Sequence, residues 1–429
     1  MRRHAVALFI VLLGAPLAGA QLPVSDPILD SLIRDAVANN LDLRVAATRV
    51  REERALRGIT ASRGKPQLAG DASAVEFERS IAAPGFGDRR QKLYDAGFDA
   101  GWEIDLFGGI RHDVAAAVAQ VQATDEQRRD VEITLIAEVA RNYVELRGAQ
   151  KRLDVLDARI QTLRDTLDVV RARQRAGLTN DLDVSRSEAL LEDTLASRPS
   201  LEFASTSAMR RLAVLTGRKP EELVDRLSAH TRIPTPQMSV SASLEIVEQR
   251  PDVRRAEREL AAATARIGVA RADLYPRVSL FGGFGRRSDN TSDLLHSISN
   301  YWSFGPALRW PLLTGGRVHA QIDAARARRD EADAAFHQTV LRGMEEVENA
   351  FAGYGRDERE RDRLAAAVAA ETRAVDLADS RYRAGLDNFL AVLDAQRTLR
   401  DGEDRLAAAE TRVGVSAISV YKALGGATP

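Results

Sequence analysis

Tyr94-Asp-Ala-Gly-Phe98-Asp-Ala-Gly-Trp102-Glu-Ile-Asp-Leu106 alternates without a break. Tyr94, Ala96, Phe98, Ala100, Trp102, Ile104 and Leu106 take the even positions. Asp95, Gly97, Asp99, Gly101, Glu103 and Asp105 take the odd ones. Successive side chains of a strand point to opposite faces, so this stretch predicts a strand with one apolar and one acidic face. Trp302, Phe304, Pro306, Leu308, Trp310 and Leu312 repeat the pattern against Ser303, Gly305, Ala307, Arg309 and Pro311. The expected strands cover residues 94–107 and 301–313, with less regular partners at 66–78 and 277–286 completing two hairpins.

All three tryptophans of the chain lie in these strands. Tyr94 and Trp302 would mark one end and Trp102 and Trp310 the other. The eight residues between them span about 26 Å of strand. That matches the ~25 Å apolar band between the aromatic girdles of outer-membrane barrels, so the apolar face is expected to meet lipid. A two-sheet sandwich is the competing arrangement, but four strands make a meagre one and waste the acidic face. Four strands cannot close a transmembrane barrel, and an open edge in lipid leaves backbone groups unpaired at several kcal/mol each. The strands must therefore be completed by further copies of the chain. Periodicity does not choose between eight, twelve and sixteen strands.

The rest of the chain is written twice. Arg175-Ala-Gly-Leu178-Thr-Asn-Asp-Leu182 returns as Arg383-Ala-Gly-Leu386-Asp-Asn-Phe-Leu390, and Glu138-Val-Ala-Arg-Asn-Tyr143 as Glu346-Val-Glu-Asn-Ala-Phe351. Trp102 followed by Gly108-Gly109 is answered by Trp310 followed by Gly315-Gly316, and Pro66 by Pro276. The expected domains are a first copy at 21–217, a proline-bearing linker or lateral element at 218–242, and a second copy at 243–429. Each copy opens on an Ala/Arg/Glu-rich helix, 30–62 and 244–273, with Pro251 placed where a first helical turn tolerates it. After each hairpin comes a very long helix, a short turn and a second helix. Residues 110–176 hold no proline, and Leu153, Leu156, Ile160, Leu163, Leu167 and Val170 alternate steps of three and four, a coiled-coil seam. Leu364, Val368, Val375, Ala378 and Tyr382 keep that register in the second copy, with Glu371 interrupting it. At 1.5 Å per residue such a helix runs to roughly 100 Å. The fold class is mainly α with a small transmembrane β part.

Composition narrows the function. Lys+Arg number 61 against 62 Asp+Glu in 429 residues, and only five of those cations are lysines. This balance lacks the basic excess that nucleic-acid binding requires. Cysteine is absent, which removes disulfides, thiolate metal sites and a lipid-modified N-terminal Cys. Met1-Arg2-Arg3-His4, the apolar run Ala5 to Leu17, and Ala18-Gly19-Ala20 follow the order of a cleavable export signal over residues 1–20. Beyond it no apolar stretch reaches the ~20 residues of a spanning helix.

With the signal, the duplicated order, Trp102-Glu-Ile-Asp-Leu-Phe-Gly-Gly109 and the paired Arg-Ala-Gly-Leu turns, the chain resembles the TolC-like outer membrane efflux proteins. It is most similar to the OprM/NodT-like channels, especially in Arg381-Tyr-Arg-Ala-Gly-Leu-Asp-Asn-Phe-Leu390 and Leu393-Asp-Ala-Gln-Arg397. The resemblance covers essentially the whole mature chain. It implies a homotrimer, with a 12-stranded β-barrel in the outer membrane lipid continued by a periplasmic α-helical barrel. It also implies two partners, a periplasmic membrane-fusion adaptor and an inner-membrane resistance-nodulation-division transporter. Many such channels carry a lipidated Cys after the signal. This chain has none, so its anchoring is expected to rest on the barrel.

Candidate residues follow. Arg175, Gly177, Leu178, Arg383, Gly385 and Leu386 lie at the two repeat turns, where glycine suits a helix C-cap; Thr179 and Asp387 are expected to cap the next helices. The resemblance makes these turns adaptor-docking tips. Leu390 and Asp394 share a helix face, and the resemblance places them at the periplasmic aperture, as a leucine ring and a carboxylate ring in the trimer. A ring of carboxylates would favour cations. Asp95, Asp99, Glu103 and Asp105 are expected to wet the barrel lumen.

No catalytic constellation appears. The six histidines lack metal-ligand spacing, and neither a Gly-x-Ser-x-Gly elbow nor a phosphate loop occurs. Gly282-Gly283-Phe284-Gly285 sits in a strand, where small residues let a sheet curve. The chain is therefore expected to be no enzyme and to need no cofactor. A type I protein-secretion duct shares the fold, and a periplasmic coiled-coil adaptor remains as an alternative of another class.

Overall fold

The computed structural model describes residues 22–82, 89–178, 180–236, 247–387 and 389–426, the side chains of 383 and 389 excepted. The export signal, the Thr179 cap and much of the linker's second half lie outside the described residues. The chain divides into two compact units: Met1–Arg44, Asp130–Arg250 and Leu341–Pro429 form one, Val45–Arg129 and Pro251–Val340 the other.

Helix α1 (Pro27–Asn39) starts on Asp26, whose carboxylate accepts from the Ile28 and Leu29 N–H groups, with Pro27 in the first turn. The expected continuous helix 30–62 is broken at Asn40. Its N–H closes α1 on the Ala36 carbonyl, its side-chain oxygen accepts from Leu43 N–H at 3.0 Å, and its amide donates to the Leu215 carbonyl at 2.9 Å. One buried asparagine thus ends α1, starts α2 (Leu41–Ser62) and ties both to a distant helix.

Strands β1 (Gln67–Glu78), β2 (Arg90–Ile104), β3 (Arg277–Ser288) and β4 (Asn300–Arg309) form one antiparallel sheet in that order. Two expected bounds move by four residues, and β2 also ends three residues early, at Ile104. β2 starts four residues earlier, because Arg90 to Leu93 pair with Glu78 to Val75. β4 stops at Arg309, so Trp310 lies just past it, ahead of Pro311. Opposite residues share parity throughout, so even-numbered residues occupy one face and odd-numbered ones the other. The even face carries Phe98, Trp102, Phe284, Trp302 and Phe304, all exposed, with Trp302 at 80%. Tyr94 stands opposite Ser288, whereas Trp302 is level with Phe284 and Phe98. Tyr94 and Trp302, expected at one end, are thus offset by four residues along the strands. Among the described residues, the outer edges of β1 and β4 have no strand partner.

Helix α3 (Gly109–Arg175) has the expected length, and α8 (Arg317–Arg383) matches it residue for residue in number. After α3 come α4 (Asp181–Ala196) and α5 (Arg198–Leu215), separated at Ser197 with Pro199 in the first turn of α5. The second copy has no proline there, and α9 (Phe389–Ala423) runs on unbroken. Leu156, Ile160 and Leu167 of the seam bury against Leu191 of α4, with Leu163 and Val184 alongside. In the second copy the seam residues are only half-buried in a single chain. Glu371, the interruption, folds into space left by Gly402, where a Cβ would stand 2.0 Å from the Glu371 carboxylate oxygen.

The main core of the first unit joins Leu29, Leu32 and Ala36 to Val139, Tyr143 and Leu146 of α3 and to Leu212 and Leu215 of α5. The lateral segment carries α6 (Val224–Leu227), and α7 (Pro251–Ala272) opens the second copy with Pro251 at its first residue. Arg147, fully buried, holds the lateral segment: it donates to the Ala229 carbonyl and to Gln150 at 2.7 Å, and Gln150 donates to the Leu227 carbonyl. Its counterpart in the repeat is Gly355. Helices α3 and α9 approach closely at Gly148, which faces Thr411, and at Gly414, which faces Val144.

Candidate functional site

At the base of the sheet the repeat is visible in single hydrogen bonds. Trp102 donates its indole N–H to the Gly64 carbonyl at 3.0 Å, and Trp310 donates to the Leu274 carbonyl at 3.1 Å. The acceptors correspond in the repeat just as the donors do. Each indole is apolar along its ring and bonded at its tip, which suits an aromatic at a boundary between apolar and polar surroundings.

The four expected lumen acids separate into different environments. Asp95, Asp99 and Glu103 share the odd face of β2. Asp95 is only 6% exposed, paired with Arg287 and accepting from the Tyr301 hydroxyl at 3.2 Å, so it closes a cross-strand clamp and does not wet a lumen. The clamp needs Gly97: a Cβ there would stand 2.8 Å from the Tyr301 hydroxyl. Asp105 is not a strand acid at all. It lies one residue past β2 and accepts from the backbone N–H groups of Ile110 at 3.1 Å and Arg111 at 2.9 Å, capping α3. Partial burial opposes its ionisation, yet these bonds outweigh it and hold its carboxyl below the usual carboxylate range.

The two repeat turns have the same geometry. Gly177 (φ 69°) and Gly385 (φ 73°) adopt the left-handed conformation. Gly177 N–H bonds the Gln174 carbonyl and Leu178 N–H the Arg173 carbonyl; Gly385 and Leu386 make the equivalent bonds to Tyr382 and Arg381, all at 2.9 Å. This double bond pattern ends a helix with glycine at C′. It leaves Leu178 and Leu386 outside the packing, 68% and 67% exposed, and Arg175 exposed beside the first. Arg383 is the last residue of α8. The expected caps are corrected: Asn180 caps α4 by accepting from Asp183 N–H at 3.1 Å, and Asp387 instead pairs with Arg381. That hydrogen bond holds the Asp387 carboxyl below its usual range.

Leu390 is 68% exposed on the first turn of α9. Asp394, one turn on, is equally open, but Arg397 stands 3.4 Å away and offsets its charge. Both border a cleft of about 170 Å³ between α3, α4 and α9, lined also by Leu163, Arg186, Leu190 and Arg400. The Arg397 partner lies three residues from Asp394 and could have been read from spacing alone. The Arg287–Tyr301 clamp on Asp95 joins three strands and could not.

Among the described residues no cluster of three or more metal-binding side chains occurs, and no helix is long and apolar enough to cross a membrane.

The Outer membrane efflux protein family matches residues 32–218 and 243–426. The solvent efflux pump outer membrane protein SrpC of Pseudomonas putida is 31% identical over 407 residues, covering 94% of this chain and 86% of the relative. Outer membrane protein OprJ of Pseudomonas aeruginosa is 31% identical over 412 residues, covering 94% and 85%. Among solved structures, the outer-membrane channel OprN aligns with a TM-score of 0.86 at 35% identity over 96% of each chain. The open state of the MtrE channel of Neisseria gonorrhoeae aligns at 0.83 with 27% identity, covering 96% and 93%. Both copies of the duplicated helix–hairpin–helix order fall within the matched residues, and the chain belongs to the outer membrane efflux protein family.

Proposed function

We propose that this chain is the passive exit duct of a tripartite efflux system, acting as a homotrimer. The observation that carries the reading is the sheet: four strands, one exposed apolar face with tryptophans, and two edges without a strand partner among the described residues. Three copies supply the twelve strands of a closed barrel, which removes every edge from lipid. Residues 1–20 direct export, and the barrel anchors the protein in the outer membrane.

The paired tips at Leu178 and Leu386 receive a periplasmic membrane-fusion adaptor, with Arg175, Gly177, Arg383 and Gly385 shaping the two seats. An inner-membrane resistance-nodulation-division transporter supplies the solutes. Relatives named for solvent and toluene efflux support small, apolar cargo over secreted protein. Leu390 and Asp394 line the periplasmic aperture. Because Arg397 accompanies Asp394, the aperture is a ring of ion pairs whose cation preference is weaker than a bare carboxylate ring would give.

The test exploits the absence of cysteine. A single Cys placed at Leu178 or Leu386 is cross-linked in intact cells and the captured proteins identified. Capture of an adaptor with such a transporter is the expected result. Capture of an adaptor with an ATP-driven exporter would move the duct to protein secretion. Recovery of a monomer without detergent would sink the channel reading.

A further inference from the structure

The cleft between α3, α4 and α9 has features that an exit duct does not use. Its lining combines Leu163, Leu190, Leu390 and Leu393 with four arginines and one aspartate. Those charges do not cancel. Arg159 bonds Asp401 at 2.7 Å and Arg400 bonds Glu403 at 2.6 Å, and both carboxylates stand outside the lining. Arg397 comes only within 3.4 Å of Asp394, looser than the roughly 2.7–2.9 Å of a tight charge-assisted bond. Arg186 has no ion pair among the described residues. Four guanidinium groups against three carboxylates leave one positive charge in excess.

Thr166 adds a second unmatched group. It is 6% exposed and borders the cleft, yet its hydroxyl makes no hydrogen bond among the described residues. Thr162, one turn earlier, donates to the Ala158 carbonyl at 3.0 Å. A buried hydroxyl without a partner is unfavourable, and an acceptor brought into the cleft would relieve it. These groups also belong to one copy of the repeat alone. A shift of 208 residues turns Arg159, Leu163, Thr166 and Arg186 into Ala367, Glu371, Ala374 and Asp394. Each loses its basic, apolar or donor character, although Gly177 and Leu182 return unchanged as Gly385 and Leu390. Helices α8 and α9 form without such residues, so a helix pair of this kind does not need them in order to fold.

We propose that the cleft binds a small organic anion, a carboxylate carried on a single ring or a short chain. Arg186, Arg397 and the Thr166 hydroxyl donate to the carboxylate, and the leucines take the apolar body. Charge sets the sign of the ligand: a cation would meet the guanidinium excess, and a neutral molecule would gain nothing from Arg186. Volume sets its size, because about 170 Å³ falls short of the roughly 300–1,000 Å³ that hold drug-sized ligands. The whole lining comes from one chain and one compact unit, so the site is complete without a second copy.

Hydrocinnamate, titrated calorimetrically into the protein in an uncharged detergent, tests this. One saturable site per chain is expected, with a Kd of roughly 0.1–1 mM for so small a ligand. Arg186→Gln should weaken binding about tenfold or more, and Thr166→Val about three- to tenfold. Arg164→Gln, on the same helix but outside the cleft, should leave it unchanged. Hydrocinnamyl alcohol has the apolar body without the charge and sulfate the charge without the body; each should bind about tenfold more weakly or worse. Equal affinity for the alcohol, or no saturable binding, would overturn the site. So would an equal loss in Arg164→Gln and Arg186→Gln, which would mean attraction by surface charge alone. A protein that sizes as a monomer yet binds hydrocinnamate would keep the site and remove the channel reading.

Discussion

Gly148 is the position where the close approach of α3 and α9 can be weighed most directly. Replacing it by alanine removes a helix-interior glycine, a gain of about 1 kcal/mol from propensity alone. The new Cβ, however, would stand 2.1 Å from Thr411 Oγ1, 2.6 Å from its Cγ2 and 2.9 Å from its Cβ. Thr411 cannot swing freely, because it is β-branched and its hydroxyl donates to the Ala407 carbonyl at 2.8 Å. Overpacking of this kind costs about 1–3 kcal/mol, and losing the hydroxyl bond adds roughly 1 kcal/mol. The clash outweighs the propensity, so Gly148→Ala should destabilise by about 1–3 kcal/mol. Thr411→Ala deletes the two nearest atoms, and in the double variant about 1–2 kcal/mol should return as coupling energy. Thermal and denaturant unfolding of the detergent-solubilised protein, followed by helical circular dichroism, measures all four corners of the cycle. Gly148→Ala as stable as the parent, with coupling below about 0.5 kcal/mol, would show that α3 and α9 do not meet at this point.

Burial, with Glu132 adding to it, pushes the Tyr421 phenol up to about 12 from its ordinary 10. A raised folded-state pKa keeps its stabilising contribution below pH 10 and loses it as pH rises toward 12, so alkaline titration should remove about 2–3 kcal/mol in that window. Tyr421→Phe should flatten that part of the profile; an unchanged profile would contradict the burial. The Asp387 carboxyl, held low by Arg381, contributes above its ordinary pKa of 3.8 and is lost as pH falls through its depressed value. Hydrogen exchange at the second tip should therefore accelerate in strong acid in the parent and already at neutral pH in Asp387→Asn. Trp102→Phe and Trp310→Phe should each cost about 1 kcal/mol through the lost indole bond, and unequal losses would mean that the repeat is not kept energetically. Arg397→Ala should raise cation preference in single-channel recordings and Asp394→Ala lower it; the same selectivity in both would remove the aperture from these residues.

The fold class, the duplication, the four strands and the two tip turns were legible because each rests on a local rule. A period of two marks strands, steps of three and four mark the α3 seam, and glycine at C′ marks the turns at Gly177 and Gly385. Local rules also set the limits of the reading. The cap of α4 is Asn180, and Asp387 is drawn instead to Arg381, a partner six residues back that a rule for helix starts does not weigh. Asp105 looked like another strand acid because the alternation runs past the point where β2 ends and α3 begins.

What the sequence by itself determined is whatever one segment's own periodicity, caps and breakers decide, together with the repeat that makes the two copies alike. The tertiary structure alone decided which segments meet. It set β2 against β3, it closed Asp95 under Arg287 and Tyr301, and it tied the buried Arg147 to the Ala229 carbonyl, 82 residues away. These pairings depend on long-range closure of the chain, where every candidate contact costs loop entropy and competes with others. No pattern within a single window carries that balance.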